Sequence, residues 1–110
     1  MGWTQGGTYF HGKNFMGAAA CYDARGCFHL VGLSADGHSI DHMVQGSRSP
    51  FPVAAYTISL PNIAIGTPTI IFSSATGYLR IFCPIYLVGI EEWAAEQEDF
   101  PDPSGNVPFA

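Results

Sequence analysis

Charge is scarce in this chain, and positive charge scarcer still. Among 110 residues there are four Lys or Arg and nine Asp or Glu, a formal net charge of -5. Nucleic-acid binding depends on Lys and Arg neutralising phosphates, so nucleic acid is not an expected partner. Long apolar runs are also missing. The longest, Ile81 to Ile90, is broken by Pro84, and a bilayer span needs about 20 residues. Membrane insertion is therefore not expected. Cysteine is sparse and odd in number, with 3 in all, which forbids a complete intrachain disulfide framework. No Walker A, Gly-x-Ser-x-Gly or His-Glu-x-x-His motif occurs, so no cofactor and no familiar catalytic signature is expected. The first residues, Met1-Gly2-Trp3-Thr4-Gln5, lack a basic region and an apolar stretch. They read as a chain made in the cytoplasm without a signal peptide, compatible with a later place in a virion or other extracellular assembly.

What is present is apolar. Hydrophobic residues make up 47% and aromatics 14%, which excludes a disordered chain. The length fits one core. The acidity is uneven. Residues 1–90 carry three acids against four bases, whereas Glu91, Glu92, Glu96, Glu98, Asp99 and Asp102 crowd the end. The body is nearly neutral and bare of charge, where a soluble domain usually carries about 25% charged residues. Such a surface favours contact with other subunits.

Short alternating runs separated by turn residues dominate. Phe28–Leu33 and Ile40–Val44 flank Asp36-Gly37, a hairpin dipeptide suited to a type I′ turn. That register pairs Leu33 with Ile40, Val31 with His42 and His29 with Val44, all six on one face. Asp23-Ala24-Arg25-Gly26 has the residues of a type I turn. It predicts Tyr22 opposite Cys27. Thr69–Ser73 and Leu79–Phe82 predict a second hairpin with Phe72 opposite Ile81 and Ile71 opposite Phe82. Val53–Leu60 alternates as a strand, and Ile85–Val88 is a further strand candidate. Ile90, Trp93, Ala94 and Gln97 share a helical spacing, with Glu91 and Glu92 in the first turn and Pro101 as a stop. The expected fold class is all-β. It is a compact antiparallel sandwich, jelly roll or small barrel of about 7–8 short strands, with a short C-terminal helix and an extended arm. The expected divisions are a β domain at 1–90, a short acidic amphipathic helix at 91–100 and an extended arm rich in Pro and Gly at 101–110.

Four residues have a zinc-like composition: Cys21, Cys27, His38 and His42. Their gaps depart from those of two-Cys, two-His modules, and the hairpin at Asp36-Gly37 sets the two histidines apart, so no metal is expected. The spacing leaves open whether Cys21 and Cys27 form a disulfide. With a tight turn they point to opposite faces, and with a five-residue loop they oppose each other. Asp41 and His42 are adjacent in a strand and face opposite sides, so they cannot pair for catalysis with Ser47. The reading is a non-enzymatic structural subunit that partners itself or other subunits, as in a virion decoration, capsid or filament. Trp3, Ile90, Trp93, Phe100 and Phe109 are the interface candidates. The alternative is an oligomeric lectin-like carbohydrate-binding module, with glycan as partner and Trp3, Tyr9, Tyr56, Tyr78 and Trp93 as the available aromatics. The third reading is the small zinc-stabilised domain.

Overall fold

A computed structural model describes residues 2–105 of the chain. Seven strands form two antiparallel sheets. The first holds β1 (Phe15–Tyr22), β2 (Phe28–Ser34), β3 (Ser39–Gln45) and β4 (Val53–Ser59), in that order. The second holds β5 (Thr69–Ser73), β6 (Tyr78–Ile85) and β7 (Gly89–Glu96), also in order. Within each sheet, every strand pairs with the next in sequence, because short turns can join only antiparallel partners. β1 also lies against β5. The two ladders do not join into a closed barrel among the described residues.

The core lies between the sheets. Val31, Leu33 and Ile40 from the first meet Ile70, Leu79, Ile81, Cys83 and Ile85 from the second. Period-two alternation explains why. In β6, Leu79, Ile81, Cys83 and Ile85 are buried while Tyr78, Arg80, Phe82 and Pro84 face away.

The β2–β3 hairpin keeps the expected register, with Leu33 opposite Ile40, Val31 opposite His42 and His29 opposite Val44. Its turn differs. Gly37 alone has a left-handed backbone, φ 75, and its N–H donates to Ser34 O at 2.9 Å. Asp36 instead accepts hydrogen bonds from the Ser34 hydroxyl and the His38 N–H.

Four expectations are corrected. In the β5–β6 hairpin Phe72 faces Leu79 and Ile71 faces Arg80. The return strand starts at Tyr78, directly after Gly77 at φ 73. The register moves by two residues, so every side chain keeps its face. At the first turn, Tyr22 faces Phe28. Asp23 faces Cys27 through its N–H to Cys27 O, 3.0 Å, so the loop holds one residue more. The cysteines are free.

The expected helix at 91–100 is mostly a strand. β7 runs Gly89–Glu96, and only Gln97–Asp99 turn, as a 3-10 helix. The same residues that fit a helical spacing also alternate. Trp93 and Ala95 turn inward while Glu92, Ala94 and Glu96 turn out. Pairing with β6 satisfies the whole backbone ladder from Tyr78–Glu96 to Ile85–Gly89, and that tertiary gain overrides local propensity. Likewise Ile85–Val88 is no separate strand. β6 ends at Ile85, and Tyr86, Leu87 and Val88 form the turn into β7.

The described part of the C-terminal arm, residues 101–105, is docked on its own domain. Asp102 accepts from the Ser47 N–H at 3.1 Å and from its hydroxyl, and the Arg48 N–H donates to the Ser104 hydroxyl at 2.9 Å. Gly46 permits this close approach, since a Cβ there would meet the Ser104 nitrogen at 2.8 Å. At the other end, residues 2–9 are exposed and form no strand. No helix among the described residues is long and apolar enough to cross a membrane.

Candidate functional site

The most unusual chemistry lies in the interior of the first sheet. Asp23 closes the β1–β2 turn with its side chain. One carboxylate oxygen accepts from the backbone N–H of Arg25 at 2.8 Å and of Cys27 at 3.1 Å. The other accepts from Arg25 Nη2 at 2.8 Å and lies 2.8 Å from His29 Nε2. His29 Nδ1 then lies 2.9 Å from His42 Nε2. Asp23, His29 and His42 are all buried. A linear chain of three titratable side chains thus runs from a turn across β2 to β3.

The proton positions follow from the donors available. An ionised Asp23 only accepts, so His29 donates from Nε2. A neutral His29 then accepts at Nδ1, so His42 donates from Nε2. That leaves His42 Nδ1 as a lone pair, with no hydrogen-bond partner among the described residues. The electrostatics agree. Burial opposes the Asp23 charge, but the hydrogen bonds from Arg25 and His29 hold its carboxyl below the usual range. Burial lowers His29, with Asp23 offsetting part of the effect. Burial, then the neighbouring His29, pushes His42 down to about 4. Both rings are therefore neutral at pH 7.

Phe100 caps the chain. Its ring stands edge-on to His42, with centroids 4.7 Å apart, and 4.9 Å from Tyr56. Arg25 Nη2 donates to the Phe100 carbonyl at 2.8 Å, which ties the cap to the Asp23 turn. Beside the cap lies a pocket of about 240 Å³ lined by His42, Tyr56, Ile58, Ile81, Trp93 and Phe100. It sits between β4 and β7, the last strands of their sheets, with exposed Thr57 and Ala94 also lining it. The lining offers no cysteine or serine.

The sequence candidates scatter. Trp3 is fully exposed in the N-terminal segment and Ile90 is exposed at the start of β7. Trp93 faces the core and the pocket, and Phe100 faces the histidines. Phe109 lies outside the described residues. His38 is exposed in the β2–β3 turn, at the far end of β2 from Cys27. The described residues hold no group of three or more potential metal ligands. The Cys21 and Cys27 thiols are each raised to about 11, by burial first and by the Asp23 charge second, so they stay protonated and poor as ligands or nucleophiles.

A second feature is an apolar plaque on the outer face of the second sheet. Ile65 N–H donates to Pro84 O, and Tyr86 N–H donates to Ile63 O, both at 2.9 Å. Pro84 in turn pairs with Ile90. Ile65, Pro84 and Ile90 therefore lie side by side, with Ile63 and Tyr86 beside them. Leu87, 86% exposed and at φ 60, sits at the turn tip beside Val88. On the same face, Arg80 has a buried Nε without a partner among the described residues. Compared with known proteins, the chain matches no protein-family model and no curated protein, so its function is read from this geometry.

Proposed function

We propose that the protein is a non-enzymatic assembly subunit that binds copies of itself through the outer face of the second sheet. The observation that carries this reading is the plaque of Ile63, Ile65, Tyr86, Leu87, Val88 and Ile90. Ile65 and Ile90 are 65% and 75% exposed. Adjacent apolar side chains at such exposure cost solubility unless a partner covers them. Leu87 adds to the case, because a branched residue at positive φ is disfavoured locally. A favourable contact elsewhere offsets that cost.

A second copy of the chain fits better than an anionic surface. The plaque carries no Lys, and Glu91 and Glu92 follow it directly. The body of each copy is nearly neutral, so identical faces meet without strong repulsion. The same surface suits a closed oligomer or a particle such as a virion shell or filament. Size-exclusion chromatography with light scattering tests the reading. The expected result is an oligomer that Ile65→Asp or Ile90→Asp converts to a folded monomer. A wild-type monomer at high concentration overturns it.

A further inference from the structure

We propose that two copies of the chain meet face to face across the second sheet, with Arg80 of each copy paired to Glu92 of the other. The proposal rests on the plaque reading above and adds to it the charge pair, the symmetry and the register.

Strand pairing lays out the outer face level by level. Pro84 stands beside Ile90 in the plaque, the next level sets Phe82 beside Glu92, and the next sets Arg80 beside Ala94. On its other side Arg80 has Ile71, which is exposed. The apolar surface of the plaque therefore continues past Arg80 rather than ending before it.

Two opposite charges on this face are unmatched. Arg80 is the one Lys or Arg in residues 49–110. It makes no ion pair among the described residues, and its buried Nε has no hydrogen-bond partner there. An unpartnered buried donor is costly. Glu92 is exposed on the same face and makes no ion pair among the described residues either. Ile90 and Glu92 alternate along β7 and share one side, so a partner that covers Ile90 also covers Glu92. A carboxylate covered without a cation is penalised, and Arg80 is the cation the sheet can supply. Extended toward a facing carboxylate, its planar guanidinium donates from Nε and Nη together.

Symmetry completes the match. Within one copy the two side chains are diagonal neighbours on β6 and β7. A two-fold axis along the strands, above the seam between β6 and β7, sets each β6 over the second copy's β7 at the same level. Ile90 then meets Pro84 of the second copy, and Arg80 stands one step from Glu92 of the second copy. In a two-fold contact every pairing occurs twice, so the interface holds two such ion pairs and builds a dimer.

Charge reversal tests this in analytical ultracentrifugation of the full chain. Arg80→Glu and Glu92→Arg should each weaken self-association about tenfold or more. Mixed in equal amounts, the two variants should associate with each other to within about threefold of wild type, because each supplies the charge the other lacks. A pair confined to one copy gives no such recovery, since each variant then carries two like charges. Where Arg80→Glu does not fold, Glu92→Arg, at an exposed position, decides alone. Unweakened association in Glu92→Arg, or a mixture that fails to recover, overturns the proposal. If Ile90→Asp still abolishes association in that case, the plaque stands and only the ion pair falls. A wild-type monomer overturns the plaque and the pair together.

Discussion

His29 Nδ1 lies 2.9 Å from His42 Nε2, in direct hydrogen-bond contact inside a sheet, with one proton to share. Only the neutral pair fits comfortably, because burial penalises a positive charge on either ring and a charge on His29 opposes one on His42.

Stability should therefore fall on mild acidification. Unfolded, His42 titrates near 6.5; folded, it is held down to about 4. Between those values the unfolded chain binds more protons, so lowering the pH favours unfolding. The loss begins as pH falls through 6.5 and is complete near 4. His42 alone contributes on the order of 3 kcal/mol, and the lowered His29 acts in the same direction. Urea midpoints from pH 7 to 4 measure this. A flat series would show that the rings are not buried and neutral.

Asp23→Asn should be costly despite its small change in shape. The carboxylate accepts from Arg25, Cys27 and His29, whereas an amide brings hydrogens of its own and leaves Arg25 without its counter-charge. Breaking a buried pair by removing one partner costs about 3–5 kcal/mol. Thermal unfolding checks it, and a loss below about 1 kcal/mol would place the charge in solvent.

Phe100→Ala should do two separable things. It removes a partly buried ring, costing about 3 kcal/mol. It also lets water reach His42, whose low pKa comes first from burial. The His42 titration midpoint, followed by NMR, should climb from about 4 toward 6.5. A destabilised variant with an unmoved midpoint would mean that Phe100 packs without shielding.

Leu87→Asn should separate strain from association. Asparagine tolerates the left-handed backbone that Leu87 adopts, so the monomer should gain up to about 1 kcal/mol. The plaque loses its tip, so self-association should weaken. Leu87→Ala should weaken association without the gain. Stronger association in either variant would remove Leu87 from the interface.

Much of the first sheet was readable from residue order. Asp36-Gly37 and the alternation on either side set the β2–β3 register, and that register already puts His29 and His42 on one face as diagonal neighbours. Asp23 was the missing third member. Its place in the turn explains it fully in local terms, and nothing in the turn sequence says that the same carboxylate also reaches a strand. The available clue was parity alone, because Asp23 comes two residues after Cys21 and so shares its inward side. The end of the chain was harder. Trp93 and its glutamates satisfy both periods, and only pairing with β6 across the tight turn at residues 86–88 decides between them. The plaque was equally hidden. It unites residues 63–65 with 84–90 through two backbone hydrogen bonds that no local pattern announces.

The position of Phe100 has a consequence in time. Asp23, His29 and His42 belong to one meander, and their cover, Phe100, leaves a ribosome only after all three of them. During synthesis, domains form from the N-terminus onward, so the polar chain can assemble while it is still wet. Solvent carries its protons in and out until the Phe100 ring arrives. The dry, neutral state of the two rings is thus completed by a residue from another sheet's trailing segment, after the meander that holds them is already made.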